Sequence, residues 1–540
     1  MSCHAKAFLQ VGHGSAVPLL TNGACTPDQV LIDKGSLLPY DSTASGREPK
    51  MIRLYCWRSD GLLKQFYRVT MGSTLALLAA FLAWAPLRWT AFLVISPAIG
   101  LSTLAFPWLG LLLVAFAIPL GPLLPLPIEG AAADITELIV LLVVAAWLAR
   151  DVVSRAIVIP HPPLLLPALW LLGVYLASLP GAWSPQDGFI EMAKWVEGLI
   201  VYLAVVALVP RSRVPWLLGA LVLAPVIEAL LGLYQFVRAI GPEPFQVFGR
   251  FVRAYGTFRQ PNPFGGYMGL TAPVALSLAG WAMGRTWQRW HTPQRWHSLI
   301  LAAGLGAAAS LITLGLLASW SRGAWLGFAT AVAAIIAIRG WRVMAVVGLA
   351  ALVALAVALL SGYTGDQVTA ALANRLLGPE GSITLADPRT IEITDVNFAT
   401  VQRLAQWWAA WGMLRDHPWL GVGIGNYAVA YPAYALPRWY EPLGHAHNYY
   451  LNVAAEVGGM GLLAYVFAGV AALIWAGRQA MRLQGWPQAL AIGVLGMLVH
   501  LSVHSLVDNL YVQHMLLHVA LLMGALAVQC HERGLHLWTA

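Results

Sequence analysis

The chain has 540 residues, of which only 10% are charged, with a net charge of +8 and a mean hydropathy of +0.69. Soluble globular proteins carry about 25% charged residues, so this composition excludes that class. Apolar runs of about 20 residues recur along most of the chain and are continuous, which predicts an all-α polytopic membrane protein. The four cysteines show no CxxC or Cys/His spacing, so neither a disulfide framework nor a zinc site is expected.

Residues 1–60 differ from the rest of the chain in being polar and lacking helical periodicity. We expect them to be a disordered cytoplasmic segment or the product of a mis-assigned start, since Met51 or Met71 would begin a more ordinary membrane protein. Basic residues just before the first apolar run place the amino terminus in the cytoplasm by the positive-inside rule.

The apolar runs predict about 14 transmembrane helices, or about 12 if the second and third form one re-entrant pair. They lie near 72–87, 91–106, 107–126, 135–149, 162–181, 189–210, 214–237, 263–284, 298–318, 322–338, 342–362, 448–477, 486–506 and 509–530. Short loops with arginine alternate with loops that hold only acids, which gives each loop a side. We therefore expect a membrane bundle over 70–362 and 448–530, with one long extracytoplasmic loop domain over 363–447.

The long loop contains a predicted amphipathic helix at 399–415. Apolar side chains recur on one face at three- and four-residue spacing, while polar ones lie toward the other. The apolar set is Val401, Leu404, Trp408, Trp411 and Leu414, and the polar set is Gln402, Arg403 and Gln406. We expect this helix to rest on the membrane surface and to roof a cavity. Asp416-His417-Pro418 ends it, and the glycine-rich turn at 421–426 is assigned a backbone role.

Three polar motifs fall on the outer face in this topology. They are the arginine-rich segment 253–265, Ser321-Arg322-Gly323, and His445-Ala446-His447-Asn448. Arginine on outward segments opposes the positive-inside bias, which indicates a bound anion; contact with lipid headgroups is the alternative reading. Arginine offers a permanently charged planar fork to phosphate, and histidine can accept a proton near neutral pH.

This combination predicts displacement of a pyrophosphate leaving group by a hydroxyl nucleophile. Because nucleotide sugars are confined to the cytoplasm, the expected donor is a lipid-linked glycan whose tail enters between the helices. Cations and a base would suffice for such a leaving group, so we expect neither a metal nor a cofactor.

The ordered motifs resemble the O-antigen ligase family, whose superfamily also holds O-antigen polymerases and other bacterial surface-glycan ligases. They are Arg-x-x-Gly-Thr-Phe-x-x-Pro-Asn at 253–262, Ser-Arg-Gly at 321–323, Arg403, Asp-His-Pro-x-x-Gly-x-Gly-x-Gly-Asn at 416–426, and His-Asn-x-x-Leu-x-x-x-x-Glu-x-Gly at 447–458. The resemblance covers roughly residues 135–530 and is best over about 300–475.

The resemblance implies a metal-independent membrane glycosyltransferase of GT-C-like architecture, which transfers a glycan from undecaprenyl pyrophosphate with inversion. The acceptor would be lipid A core, another glycan or a protein, on the outer face of the cytoplasmic membrane. The family's essential arginines map onto Arg253 and Arg322, and its essential histidine onto His447. Arg259 competes with Arg253, and His445 competes more weakly with His447. The residues assigned to substrate binding are Arg259, His445, Arg403, Asn448 and Asn262.

Two functions besides a ligase remain open at this point. One is a polysaccharide polymerase of the same superfamily. The other is a small-solute transporter, for instance of bicarbonate, although no internal repeat is evident and the polar residues concentrate at one surface. On the last helices, His500, His504 and Asp508 share a face. They are interpreted as packing or hydrogen-bonded groups, with a proton pathway as the alternative.

Overall fold

The computed structural model describes residues 7–11, 15–19, 97–123, 134–155, 159–247, 249–339, 387–394 and 397–530. The chain divides into two compact units, Met1–Trp84 and Ala85–Ala540. The predicted spans near 72–87 and 342–362 lie outside the described residues. In the first unit, β1 (Ala7–Val11) pairs antiparallel with β2 (Ser15–Leu19). The prediction for the remainder of 1–60 stays a prediction.

The second unit is a bundle of helices, as the apolar runs predict. Its elements are α1 (Pro107–Leu120), α2 (Ile135–Ser154), α3 (Leu165–Ser178), α4 (Pro185–Leu208), α5 (Val214–Arg238), β3 (Gln246–Val247), β4 (Phe251–Val252), α6 (Pro261–Gln288), α7 (Arg295–Ala318), α8 (Arg322–Arg339), α9 (Phe398–Asp416), α10 (Tyr427–Tyr434), α11 (Tyr449–Arg482), α12 (Gly485–His504) and α13 (Met515–Cys530). β3 and β4 form a two-residue antiparallel ribbon. The chain is an all-α polytopic membrane protein.

Four helices in the described part of the chain are both long and apolar enough to cross a membrane. They are Arg211–Arg238, Arg295–Ala318, Tyr449–Arg482 and Gly485–His504. Shorter apolar helices accompany them, so most predicted spans correspond to an observed helix. The bounds agree to within about five residues except at 107–126, where α1 ends at Leu120, and at 509–530, where α13 begins only at Met515. A polar loop precedes it, and this loop becomes part of the candidate site.

Helix α6 is the centre of the bundle, packed against α5, α7, α8 and α12. Three glycines near its start permit this close packing. A Cβ atom on Gly265, Gly266 or Gly269 would lie 2.0–2.5 Å from an atom of Ser319, Leu510 or His500, respectively. Because these distances are far below van der Waals contact, only glycine allows α12 and the α7–α8 turn to approach so closely.

The loop between α9 and α10 contains three glycines of positive φ. Gly421, Gly423 and Gly425 have φ values of +64°, +100° and +72°. A Cβ on Gly421 would lie 2.3 Å from the carbonyl carbon of Glu456, in α11. Val422 and Gly423 donate backbone hydrogen bonds to the carbonyls of Ala455 and Glu456. The glycine turn therefore has the backbone role predicted for it.

Gly458 completes this packing from the side of α11. It interrupts the helix with φ +70° and ψ −169°, and a Cβ there would lie 2.3 Å from the carbonyl of Trp419. Gly459 then donates to the carbonyl of Pro418 at 2.7 Å. The kink lets the loop after α9 pack directly on the membrane helix that follows the histidine motif.

The predicted helix is observed as α9 (Phe398–Asp416), with one departure from the expected pattern on its polar face. Val401 and Leu404 are buried, as expected, whereas Trp408 and Trp411 are 41% and 58% exposed. The position predicted as polar and outward, Gln406, is fully buried. The tryptophans therefore form a separate exposed apolar face.

Specific hydrogen bonds explain why Gln406 is inside. Its Nε2 donates to the carbonyl of Glu441 at 2.9 Å, and its Oε1 accepts from the Tyr427 hydroxyl at 2.7 Å. A buried amide with both ends paired loses little relative to water. The glutamine thus connects α9, α10 and the segment before the histidine motif.

Candidate active site

A histidine–carboxylate pair lies where the long loop meets the last helices. Nδ1 of His447 is 3.2 Å from Oδ1 of Asp508. The carboxylate lies four residues after the end of α12, and its backbone N–H donates to the carbonyl of His504 at 3.1 Å. With Nδ1–H donating to the carboxylate, Nε2 of the imidazole is the nitrogen able to accept a proton.

The backbone around the histidine is anchored on both sides. Tyr449, at the start of α11, donates its N–H to the carbonyl of Ser505 at 2.8 Å. From the loop, the Trp407 indole donates to the carbonyl of His447 at 3.4 Å. His447 itself has φ +51°, an uncommon conformation for a residue with a side chain. Such strain persists only where surrounding contacts determine it, and it clusters at functional sites.

Burial and charge together set the protonation of Asp508. Burial by itself raises the pKa of this carboxyl, but the hydrogen bond and charge of His447, with the charge of Arg403, lower it below its usual range. The carboxylate is therefore ionised at neutral pH. An ionised partner orients the imidazole and stabilises its protonated form.

His445 lies against the same imidazole but in a different state. The two rings are 4.3 Å apart, edge to face, and Nδ1 of His445 accepts the backbone N–H of His447 at 3.1 Å. Burial and the neighbouring His447 lower the pKa of His445 to about 4. His445 is thus a neutral hydrogen-bond acceptor that supports the turn.

Arg253, in the segment between β4 and α6, packs against the turn between α7 and α8 and is held there by hydrogen bonds. Its Nε donates to the carbonyl of Ser319 and its Nη2 to Oδ1 of Asn262, both at 2.9 Å. The backbone N–H of Ala254 also donates to the carbonyl of Ala318 at 2.9 Å. The first motif therefore contacts the turn that leads into the second motif, and Asn262 orients the guanidinium.

Arg322 begins α8 beside this turn and close to the end of α12. A Cβ on the next residue, Gly323, would lie 2.7 Å from Val507 and 2.8 Å from the His504 ring. The N-terminus of α8 therefore packs on the residue that directly precedes Asp508. All three motifs meet at this corner of the bundle.

The remaining candidates divide by their surroundings. Arg403, on α9, is half-buried and close enough to Asp508 for its charge to lower the pKa of that carboxyl. Asn448 caps α11, where its side chain accepts the N–H of Leu451 at 3.1 Å. Arg259 is exposed in a turn with φ +60°. The structure thus brings Arg403 to the histidine pair and gives Asn448 a structural contact.

Another cation near the histidine motif is Lys194, on α4. It forms an i,i+3 ion pair with Glu191 at 2.6 Å and donates to the carbonyl of Tyr511 at 3.0 Å. Its charge contributes to lowering the pKa of His445. Lys194 therefore acts on the histidine motif while its own charge is compensated by Glu191.

Among the residues that the structure describes, two clusters bring together several atoms that could bind a metal ion. The first, His445, His447 and Asp508, has its ligand atoms within 4.8 Å of one another. Two of its nitrogens are already used: Nδ1 of His445 holds a backbone N–H, and Nδ1 of His447 faces the carboxylate. The donor set therefore fits a hydrogen-bonded dyad better than a metal centre.

The second cluster joins α2 to the loop before α13. Nε2 of His514 lies 2.7 Å from Oδ2 of Asp134 and 3.7 Å from Glu137. Asp134 and Glu137 also form a capping box at the start of α2, in which Asp134 accepts the N–H of Thr136. This cluster is a buried ion pair that fastens two loops.

Asp508 is the residue whose role the sequence did not reveal. Its helical spacing from His500 and His504 suggested a shared face, yet the carboxylate lies beyond the end of α12 and turns to His447 instead. Nδ1 of His504 lies 3.4 Å from Nε2 of His500 within the bundle. The available signal was the polar, acid-containing loop before the last span, on the same predicted side as the histidine motif.

One part of the chain is similar to a known protein family. Residues 307–466 match the family model described as O-Antigen ligase. The matched segment contains Arg322, Arg403 and both histidines, whereas Arg253 and Asp508 lie outside it. None of the curated proteins matches the chain. Residues 307–466 are therefore similar to the O-antigen ligase family, in agreement with the order of the chain's motifs.

Proposed function

We propose that the protein is an inverting glycosyltransferase that moves a glycan from undecaprenyl pyrophosphate to an acceptor hydroxyl. The observation that carries the proposal is the His447–Asp508 pair beside two arginine motifs at one corner of the bundle. The similarity of residues 307–466 to the O-antigen ligase family supports a role in joining or polymerising glycans. The site is placed on the extracytoplasmic face of the cytoplasmic membrane because basic short loops fall on the opposite side.

His447 acts as the general base in this scheme. Its Nε2 takes the proton of the acceptor hydroxyl while that oxygen attacks the anomeric carbon. The bond from the anomeric carbon to the pyrophosphate oxygen breaks, and its electrons leave with the pyrophosphate. Asp508 holds Nδ1–H and compensates the imidazolium that forms, which contributes about 10²–10⁴ in rate for a positioned base. Back-side attack inverts the anomeric configuration.

Arg253 and Arg322 compensate the pyrophosphate charge. The hydrogen bonds from Arg253 to Ser319 and Asn262 fix the plane of its guanidinium next to the turn that carries Arg322. A preorganised cation costs no reorganisation as charge develops on the leaving group. Arg403, on α9, lies near the His447–Asp508 pair and is assigned to donor or acceptor binding. The scheme requires no metal, consistent with the donors already committed at His445 and His447.

The test is transfer of a labelled glycan from its undecaprenyl carrier by the full-length protein in proteoliposomes. We expect His447→Ala to abolish transfer while donor binding is retained, and transfer to persist in EDTA. A fully active His447→Ala protein would refute the base assignment, and loss of activity in EDTA would refute the metal-free scheme. In a deletion strain, accumulated lipid-linked polymer indicates a ligase, and accumulated single repeats indicate a polymerase.

A further inference from the structure

A polar cavity lies at the end of α6 that is far from the candidate active site. Its volume is about 690 Å³, and it is bounded by the last turns of α6 and the first turn of α12. Arg253 and Asn262 are near the first residue of this 28-residue helix, which spans about 42 Å at 1.5 Å per residue. The cavity is therefore a separate feature near the opposite membrane surface.

The lining of the cavity is basic. It includes Arg285, in the last turn of α6, and Arg289, the residue that directly follows α6, and none of its lining residues in the described structure is acidic. Both arginines are half-buried. Arg285 stacks over Trp281 at 5.4 Å, which holds the guanidinium in the cavity wall. Within the described residues neither arginine forms an ion pair with a carboxylate.

A buried hydroxyl in the lining supports a ligand. Ser277 is only 1% exposed, and its Oγ has no hydrogen-bond partner in the described structure. A buried hydroxyl without a partner costs about 1–3 kcal/mol, so such groups are normally satisfied by protein, water or ligand. A serine within a helix commonly bonds the carbonyl four residues earlier, but this one lines the cavity instead.

The start of α12 adds oriented donors to the same cavity. Its N-cap residue, Gln484, makes no side-chain capping hydrogen bond, and Gly485 and Trp486 also line the space. The first backbone N–H groups of a helix have no partners within the helix, and the helix dipole favours an anion there. Two guanidinium groups, a helix N-terminus and an unpaired hydroxyl thus converge on one space.

We propose that this cavity binds the phosphate group of an anionic ligand. The volume falls within the range of about 300–1,000 Å³ that is usual for small-molecule sites. Exposed tryptophans at the end of α6 and the start of α7 mark the level of the membrane interface, since Trp287 is 82% exposed and Trp296 is 58% exposed. The phosphate can therefore belong to a lipid headgroup of that leaflet or to a soluble anion.

Thermal unfolding of the full-length protein in zwitterionic detergent tests the proposal. Phosphatidylglycerol and inorganic phosphate are titrated in separate arms, with phosphatidylcholine as the neutral-headgroup control, because a ligand of the folded state raises the unfolding temperature. A response to phosphatidylglycerol alone identifies a lipid phosphate, and a response to inorganic phosphate identifies a soluble anion. Either response supports the site if the variants below weaken it.

The variants separate this cavity from general surface charge. We expect the double variant Arg285→Gln/Arg289→Gln to need at least a tenfold higher probe concentration for the same rise in unfolding temperature. Arg295→Gln, which changes an exposed arginine outside the cavity, should leave the response unchanged. Gly284→Phe should block the cavity without disturbing the fold, because a Cβ there meets no atom within 4 Å. No response to either probe, or equal responses in the wild type and both cavity variants, would overturn the proposal. Equal weakening by Arg295→Gln would overturn it as well.

Discussion

Nδ1 of His447 and Oδ1 of Asp508 lie 3.2 Å apart although 61 residues separate them in the chain. The approach is made possible by α11 and α12, which run out and back as a pair and return the chain to the loop. The hydrogen bond from the Tyr449 N–H to the Ser505 carbonyl joins the start of α11 to the residue that follows α12, next to the His447–Asp508 pair. The geometry of the base is therefore set by membrane helices as well as by the long loop.

The first prediction concerns the carboxylate. We expect Asp508→Asn to reduce transfer by about 100-fold or more, because an amide can donate to Nδ1 and hold the proton on Nε2, the nitrogen needed as acceptor. The measurement is the initial rate of labelled-glycan transfer in proteoliposomes, with donor binding measured in parallel. Asp416→Asn, at the exposed end of α9, is the matched control. Wild-type rates in Asp508→Asn would remove the carboxylate from the mechanism.

The second prediction concerns the arginine motifs. Arg253→Lys should lower transfer nearly as much as Arg253→Ala, because a lysine ammonium cannot bond the Ser319 carbonyl and Asn262 together in one plane. Arg322→Lys should likewise be nearly as damaging as Arg322→Ala if it binds pyrophosphate with two parallel bonds.

Arg259→Lys is the control for these substitutions, since that exposed side chain lies in the same segment. Rates are measured at saturating and at limiting donor concentrations to separate binding from turnover. A Lys variant of Arg253 that works at the wild-type rate, with an impaired Arg259→Lys variant, would reverse the assignment between the two arginines.

Most of the membrane helices could be predicted from the sequence because burial in lipid imposes long apolar runs. The ordered motifs pointed to the O-antigen ligase family, which residues 307–466 match, whereas the sidedness of the loops stays a prediction from arginine placement. These signals are local or compositional, so one chain is enough to detect them. The glycine turn after α9 was also predictable, since only glycine adopts its positive φ values without cost.

The site's second half could not be predicted, because it depends on which helices pack together. Nothing local distinguishes Asp508, which pairs with His447, from other loop acids. The burial of Gln406 on α9 was missed for a related reason. The hydrophobic pattern put Gln406 on the polar face, but its hydrogen bonds to Glu441 and Tyr427 come from segments distant in the chain and hold it in the core.

The third prediction concerns the glycine turn, which fixes the loop to α11. Gly421→Ala should prevent stable folding, because its Cβ would lie 2.3 Å from the backbone of Glu456 in addition to the cost of positive φ. Gly444→Ala is the matched control: it has φ +83°, but a Cβ there meets no atom within 4 Å. We expect that variant to lose only about 1 kcal/mol of stability.

These two variants are compared by the yield of monodisperse protein and by the unfolding temperature. The comparison isolates the steric term, since both positions share the conformational cost. Similar unfolding temperatures for Gly421→Ala and Gly444→Ala would show that the loop can move away from α11.

The fourth prediction concerns the buried ion pair of His514 and Asp134, which contact at 2.7 Å. Burial opposes charging of the histidine, but its hydrogen bond to the Asp134 carboxylate and the charge of the nearby Glu137 outweigh burial and raise the pKa of His514. Burial likewise opposes charging of Asp134, yet its hydrogen bonds with His514 and Thr136 lower the pKa of that carboxyl. Each group thus stabilises the charged form of the other.

The sign of the pH dependence follows from these two directions. A histidine whose pKa is raised in the folded state contributes stability below its unfolded value of about 6.5 and loses it as pH rises through the folded pKa. A carboxylate whose pKa is lowered contributes stability above about 4 and loses it as pH falls through the folded pKa. The pair should therefore stabilise the fold most between about pH 4 and 6.5, with the contribution declining at alkaline pH.

His514→Gln removes the cation and leaves a buried carboxylate, which should cost about 3 kcal/mol near pH 6. The measurement is the difference in unfolding temperature between wild type and variant from pH 5 to 9 in detergent, and the difference should shrink as pH rises. Asp134→Asn tests the partner: when His514→Gln is introduced into that variant, the loss in unfolding temperature should be smaller than in the wild type. A gap between wild type and His514→Gln that stays constant across this range would show that packing, not charge, accounts for the contribution of His514.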